Sequence, residues 1–263
     1  MERGLVFDRI AEEYDRVRPG YPPELVDEAL AGAEIRRVLE VGCGTGQLTQ
    51  ALAARGLEVD AVEPGANLAA LAQRRVPSLR VRAGRFEDVA LPPESYDAVF
   101  SATAFHWIDP AVGWAKVAAA LRRGGRFALL AHVYVSDAEV RPAQQALSDA
   151  YGESWTFPTA ENVLAETAAH RRNISEVWAA LSTAKPRDEA AELFSEARIE
   201  ARELHCDLDA KAFLALQRTT SAHLTLDPDR VGPVERAIVD LIESRGGTYP
   251  IRQLAVLAVA ERR

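Results

Sequence analysis

The stretch Val38-Leu39-Glu40-Val41-Gly42-Cys43-Gly44-Thr45-Gly46 constrains this chain more than any other. Val38 to Val41 has the apolar character of a short strand with one acid in it, and glycines at the alternate positions 42, 44 and 46 forbid regular strand or helix for the next few residues. The chain must turn sharply there, without the Cβ atoms that would hold a ligand away from the backbone. Gln47-Leu48-Thr49-Gln50-Ala51-Leu52-Ala53 is a good helix former, so the loop feeds a helix N-terminus whose free N–H groups attract a carboxylate or phosphate. A dinucleotide fingerprint reads Gly-x-Gly-x-x-Gly. Here the third glycine comes one residue early and Gln47 stands in its place. Taken alone, the glycines also fit a plain tight turn.

The next element narrows the choice. Leu57-Glu58-Val59-Asp60-Ala61-Val62 alternates and then runs apolar as a second strand ending at Glu63-Pro64. That acid lies roughly 20 residues past the glycines, where a carboxylate can chelate a ribose diol. Gly65 to Arg75 reads as a helix closed by Pro77, Leu79 to Ala83 as a third strand, and Tyr96 to Ala102 as a fourth. The fourth delivers Thr103-Ala104-Phe105-His106-Trp107 to the same rim. His106 is a candidate to take a proton from a substrate or to orient an oxygen nucleophile; as a histidine beside aromatics it also fits a supporting, hydrogen-bonded role.

The glycine run, Val62-Glu63-Pro64, Gly84-Arg85-Phe86-Glu87-Asp88 and Ser95-Tyr96-Asp97-Ala98-Val99-Phe100 together resemble the class I S-adenosylmethionine-dependent methyltransferases. Within them the chain is most similar to the small-molecule branch (methyltransferase type 11-like) that carries an Ala-Phe-His-Trp tetrapeptide, here Ala104 to Trp107. The match runs from about Phe7 to Arg126, and its motifs are specific for the cofactor and nearly silent about the methyl acceptor. The resemblance implies an α/β fold: a Rossmann-like seven-stranded, mostly parallel sheet with an antiparallel last strand, an N-terminal helical cover and a helical lid insertion.

It also implies roles for particular residues. Gly42, Cys43, Gly44 and Gly46 would cradle the methionine and ribose portions of S-adenosylmethionine, with Glu40 facing the ammonium end and Glu63-Pro64 at the ribose hydroxyls. Phe86 and Glu87 would meet the adenine, with Ala102 a further cofactor contact. Relatives place an Asp directly after Gly84 where this chain has Arg85, so Glu87 and Asp88 both stand open as the side chain that reads adenine. Tyr14, Arg18 and Tyr21 become candidates for the methionine carboxylate or the acceptor, and Phe105 and Trp107 for contacts at the same site. Tyr14 equally fits a packing residue on an amphipathic helix, Arg18 a surface charge and Phe86 a core side chain. S-adenosylhomocysteine would be the product. An enzyme of this kind is the main expectation; a non-catalytic binder of the cofactor and an NAD-dependent oxidoreductase are the alternatives.

Beyond the motifs the chain is read in four parts of one domain, 1–263. Residues 1–32 form a helical cover, broken at Arg18-Pro19-Gly20-Tyr21-Pro22-Pro23, and 33–135 the cofactor-binding core, whose fifth strand is Phe127 to Ala131. Residues 136–197 form a helical insertion expected to lie over the carboxyl edge of the sheet as a lid, and 198–263 complete the sheet. In that last part, Ile199 to Asp207 alternates as a strand, a helix runs from Asp209 to about Ser221, and another from Pro228 to Ser244. Leu254 to Ala260 is continuously apolar, as a strand buried on both faces must be.

Composition bounds the partners. A chain of 263 residues with 48% apolar residues can bury a sizeable core, and a net charge of −8 argues against a phosphate backbone as partner. A small-molecule acceptor is expected, with no nucleic acid and no membrane; the oligomeric state is not legible. Two cysteines, Cys43 and Cys206, imply no disulfide framework, and with no signal-peptide segment a cytoplasmic location is expected. No metal-ligand spacing is present.

Overall fold

The computed structural model describes residues 3–263, beginning with a 3-10 turn over Arg3–Ile10. Two short helices, α1 (Ala11–Val17) and α2 (Pro23–Leu30), precede strand β1 (Arg37–Val41). The core then alternates: α3 (Gln47–Ala53), β2 (Glu58–Glu63), α4 (Ala66–Arg75), β3 (Arg80–Ala83), β4 (Tyr96–Ala102), α5 (Pro110–Ala120) and β5 (Leu121–Tyr134). Four helices follow, α6 (Arg141–Tyr151), α7 (Ala160–Ala169), α8 (Ile174–Leu181) and α9 (Ala190–Leu193). The chain closes with β6 (Arg198–Asp209), α10 (Ala210–Gln217), α11 (Ser221–Leu224), α12 (Pro228–Ser244) and β7 (Thr248–Glu261).

The strands form one seven-stranded sheet in the order β3-β2-β1-β4-β5-β7-β6. Neighbours from β3 to β5 pair in parallel, while β7 runs antiparallel to both β5 and β6. The expected architecture and the antiparallel entry of the last strand are therefore both present. The chain reverses its direction of travel across the sheet between β1 and β4, and in open α/β sheets ligands bind at such a point, outside the carboxyl ends of the strands.

Strand alternation divides the core into two layers. Leu39, Val41, Val99, Phe127, Leu129, Val256 and Ala258 face one side, and Val38, Ala98, Phe100, Ala128, Leu130, Leu257 and Val259 the other. The second side is covered by α2, α3 and α4 through Leu25, Val26, Leu48, Leu52 and Ala72. The first is covered by α5, α8 and α9 through Trp114, Val117, Val177, Trp178 and Ala190, with Phe194 just beyond. A third apolar cluster joins α6, α10 and α12 to the start of β7 through Leu147, Tyr151, Phe213, Ile238 and Tyr249.

Two expectations are refined here. Within residues 136–197, α7 to α9 put Val163, Ile174, Val177 and Trp178 against a sheet face whose central strands are apolar on both sides and would otherwise be wet, while α6 packs with α10 and α12 near Tyr134 at the carboxyl end of β5. The helix read from Asp209 to Ser221 breaks after Gln217, and Thr220 starts α11 by accepting the His223 N–H on its hydroxyl (3.3 Å).

At the amino end of the parallel strands, the buried carboxylate of Asp60 joins four of them. It accepts from Arg37 of β1 (2.8 Å), Arg80 of β3 (2.6 Å) and the Tyr96 hydroxyl of β4 (3.0 Å). Burial alone would raise this carboxyl's pKa, but donation from Arg80, Arg37 and Tyr96 outweighs it and holds the group below the usual range. The resulting stability is present above the unfolded pKa and fades as pH falls through the folded one. Asp60→Asn should cost about 1–3 kcal/mol at neutral pH, since both arginines are partly solvated and keep some hydration. Urea unfolding at pH 7 and pH 3.5 checks this: the difference between wild type and variant should shrink at the lower pH.

Candidate functional site

At the switch point the backbone is shaped by left-handed turns at Gly42 (φ 73°), Gly44 (φ 54°) and Gly46 (φ 90°). Glycine is required at two of these for space as well as for φ. A Cβ on Gly42 would stand 2.5 Å from the Ala104 Cβ, and one on Gly46 would stand 3.0 Å from the Ala72 Cα of α4. Gly46 is the N-cap of α3, and its missing side chain lets α3 approach α4. That close packing explains why the third glycine falls where it does. Gly46 does not line the cavity that its neighbours enclose.

That cavity has a smaller lobe of about 110 Å³ and a larger one of about 590 Å³, within the size range of small-molecule sites. Glu40, Cys43 and Gln47 line the smaller lobe, and Glu63, Pro64, Phe86 and Glu87 the larger. Tyr14, Arg18, Gly42, Gly44, Ala102, Thr103, His132 and Tyr134 border both.

Glu63 ends β2 with its carboxylate held from both sides: Oε2 accepts from the Gly44 N–H (3.0 Å) and Oε1 from the Gly65 N–H (2.9 Å). Burial raises its pKa above the ordinary value, against those two hydrogen bonds. Each oxygen keeps lone-pair capacity toward the cavity. Glu40 is deeper, 1% exposed, and accepts from the Thr49 hydroxyl at 2.6 Å. Burial drives its carboxyl up to about 8, so it is largely neutral at pH 7 until a cation arrives. The Cys43 thiol is also pushed up by burial, next to Glu40 and Glu63, which makes it inert packing rather than a nucleophile.

Phe86 is buried, with Lys116 Nζ 5.3 Å from its ring centroid. Burial works against ionisation of Glu87, but the Asp109 N–H (2.8 Å) and Arg85 (3.3 Å) hold its carboxyl below the usual value. Of the two acids left open by the sequence, Glu87 lines the cavity and Asp88 is exposed outside it.

On the opposite wall, Arg18 donates to the hydroxyl of Thr219 (3.1 Å) and to its carbonyl, with its guanidinium 5.1 Å from the Tyr14 ring. The Tyr21 hydroxyl lies 2.6 Å from that of Thr103, a non-glycine residue at φ 49°. Phe105, His106 and Trp107 form a 3-10 turn. Phe105 is not a site contact: it is 3% exposed and packs edge-on against Trp114 and Phe127 in the core, outside the cavity lining. His106 and Trp107 do line it, and Trp107 stands at the rim near Phe7. The His106 ring is 4.7 Å from Trp107 and 6.1 Å from Trp178, its Nδ1 is buried without a hydrogen bond, and burial lowers its pKa to about 4.

The sequence reading missed His132, Tyr134, Thr220 and Ser221, all cavity-lining. It ended β5 at Ala131, whereas β7 pairs with β5 through Tyr134 and so carries His132 and Tyr134 to the rim. Their spacing of two residues, one face of a strand, was the available signal. Thr220 and Ser221 enter through the break between α10 and α11. The cover over the site thus comes from the N-terminal segment and residues 219–221, with no contribution from 136–197 to the lining. Among the described residues no cluster of three or more His, Cys, Asp or Glu is arranged to hold a metal, and no helix is long and apolar enough to cross a membrane.

Residues 39–129 match the family model described as a methyltransferase domain. The chain is 42% identical over 129 residues to an uncharacterised methyltransferase of Mycobacterium tuberculosis, covering 49% of this chain and 53% of that protein. It is 30% identical over 152 residues to a probable S-adenosylmethionine-dependent methyltransferase of Saccharomyces cerevisiae, covering 54% and 51%. The chain thus spans about half the length of the curated relatives it matches. A solved structure from Anaeromyxobacter dehalogenans, provisionally described as a type II methyltransferase, superposes with a TM-score of 0.61 at 26% identity, over 94% of this chain and 97% of that one.

The buried Glu40 makes a prediction that needs no ligand. Its carboxyl titrates near 8 when folded and near 4.3 when unfolded. Between those values the folded state holds the extra proton, so this group's contribution to stability falls as pH rises. Relative to wild type, Glu40→Gln should gain about 3–4 kcal/mol of stability between pH 5 and pH 8. Urea midpoints measured across that range check the sign.

Proposed function

We propose that the chain, which carries a methyltransferase domain match over residues 39–129 and resembles methyltransferases in sequence and fold, is a class I S-adenosylmethionine-dependent enzyme that binds S-adenosylmethionine in the cavity outside β1, β2 and β4 and methylates an oxygen, nitrogen or carboxyl group of a small molecule. The observation that carries this reading is Glu63. Its carboxylate is fixed by two backbone N–H groups at the end of β2, and it faces the same cavity as the glycine loop and Phe86-Glu87.

The chain's own residues fit the cofactor part by part. Glu40, a buried carboxyl with a single hydroxyl donor, suits a cationic ammonium end. Gly42 and Gly44 bring bare backbone to the cavity, Glu63 offers acceptors for a diol, and Phe86 with Glu87 offers an apolar face and an acceptor for a heteroaromatic amine. Bound there, the cofactor supplies a methyl group already activated on a sulfonium. What remains for the protein is orientation and exclusion of water. Tyr14, Arg18 and the 219–221 segment close the front of the cavity, and His106 contributes a neutral imidazole to its wall. Such weak basicity suits His106 to holding an acceptor by a hydrogen bond rather than to storing its proton at neutral pH.

Thermal unfolding with S-adenosylhomocysteine, S-adenosylmethionine and NAD tests the cofactor. A ligand at about 100 times its dissociation constant adds roughly 2.7 kcal/mol, and only the two adenosyl sulfur compounds should raise Tm; a rise with NAD alone would sink the assignment. Glu63→Ala should weaken S-adenosylhomocysteine binding by about 1–3 kcal/mol, read by calorimetry.

A further inference from the structure

At Gly42 and Gly44 the left-handed backbone bordering the cavity is made with glycine, but at Thr103 (φ 49°), which borders both lobes, it is made with a β-branched residue. A branched side chain is poorly tolerated in that region. Among the described residues Glu94 is the one other non-glycine with a positive φ. A glycine would hold the same turn without strain, so the Thr103 side chain has a use of its own. Its Oγ1 lies 2.6 Å from the Tyr21 hydroxyl. Tyr21 belongs to the N-terminal cover, between α1 and α2, and its ring stands 4.5 Å from that of His132. Burial raises its phenol above the ordinary range, so the group stays a neutral hydroxyl.

On its other side Thr103 governs the turn that follows. Its N–H donates to the Leu130 carbonyl (2.8 Å) at the end of the β4–β5 ladder. Ala104 then takes the space that a Cβ on Gly42 would need, and the Trp107 N–H closes the 3-10 turn on the Ala104 carbonyl (3.0 Å). That turn brings His106 and Trp107 to the cavity wall. If residue 103 relaxed to a negative φ, the chain would leave β4 in another direction and carry both side chains with it. Resting on the methyl-transfer reading above, we propose that Tyr21 is a positioning residue for the methyl acceptor: its hydroxyl holds Thr103 in the left-handed conformation and so sets His106 and Trp107 against the cavity. The N-terminal cover thereby does more than close the front, because the acceptor wall takes its working shape only with Tyr21 seated on Thr103.

The test follows a side-chain resonance of His106, assigned with His106→Gln, in the full chain, alongside S-adenosylhomocysteine affinity by calorimetry. Tyr21→Phe keeps the ring and removes the hydroxyl, while Thr103→Val keeps the branch and removes the oxygen. Each should shift the His106 resonance in the same direction and, through the Ala104 contact with Gly42, weaken S-adenosylhomocysteine about fivefold. The double variant should be no worse than either alone. Thr103→Gly and Thr103→Asn adopt a positive φ readily and should leave the resonance at its wild-type position. In the Thr103→Gly background, Tyr21→Phe should change the affinity by less than about 1.5-fold. Loss of a bond that only stabilised the fold would show no such relief by glycine. A His106 resonance unmoved by Tyr21→Phe, additive effects in the double variant, or Thr103→Gly behaving as Thr103→Val does would each overturn the role of Tyr21 and leave the cofactor assignment standing. Failure of the wild type to bind S-adenosylhomocysteine would instead overturn the methyl-transfer reading, while the His106 resonance would still judge the link from Tyr21 to Thr103.

Discussion

The close approach of backbone at Gly42 and Gly46 is the constraint on which the rest of the site depends. With no Cβ at Gly42 the end of β1 can pass the Ala104 segment that follows β4, and with none at Gly46 helix α3 can begin against α4. Those two contacts set the loop between them, so that the Gly44 N–H points at Glu63. An alanine at either place would collide with its neighbour and also force a side chain into a left-handed φ. Loop position and the orientation of the Glu63 carboxylate are therefore one structural fact.

The sheet supplies the rigidity that makes such tolerances usable. Asp60 gathers β1, β3 and β4 around β2 at the amino end, while the carboxyl end is left to present loops. Across the sheet, β7 is buried on both faces between two antiparallel neighbours, and α7 to α9 seal one layer of its apolar side chains. Asp8 couples the cover to this frame by accepting the N–H groups of Asn67 (2.8 Å) and Leu68 (3.1 Å) at the start of α4. Asp15 pairs with Arg75 at its far end (2.6 Å). The N-terminal segment is thus tied along the whole of α4, and Arg18 reaches across to Thr219.

Much of this was legible because it is written in local chemistry. Strand periodicity, glycine spacing and a terminal acid fix β1, α3, β2 and Glu63 within a short window, and the uninterrupted apolar run of Leu254 to Ala260 announces a strand with neighbours on both faces. What escaped depends on pairing at long range. β5 extends to Tyr134 because β7 pairs with it that far, and nothing local to Ala131-His132-Val133-Tyr134 requires it. The placement of α7 to α9 on the sheet face escaped for a related reason: an aromatic-rich amphipathic helix has the same pattern whether it roofs a site or seals a sheet. Phe105 was drawn into the site by its neighbours in sequence, whereas Trp114 and Phe127 claim it for the core.

The cavity is lined by two kinds of titratable group, and both bear on which reactions it can serve. It holds two acids whose ionisation burial opposes, Glu40 and Glu63, a setting that favours an incoming cation. It also holds two histidines that burial keeps neutral, His106 and His132, each with a ring nitrogen lacking a partner. A site built to draw protons off strongly basic groups at neutral pH would want imidazoles near pKa 7, and neither ring is in that position. Neutral imidazoles beside aromatic walls are better matched to orienting a hydrogen-bond donor in a dry cavity, which is what displacement at an already activated carbon asks of a protein.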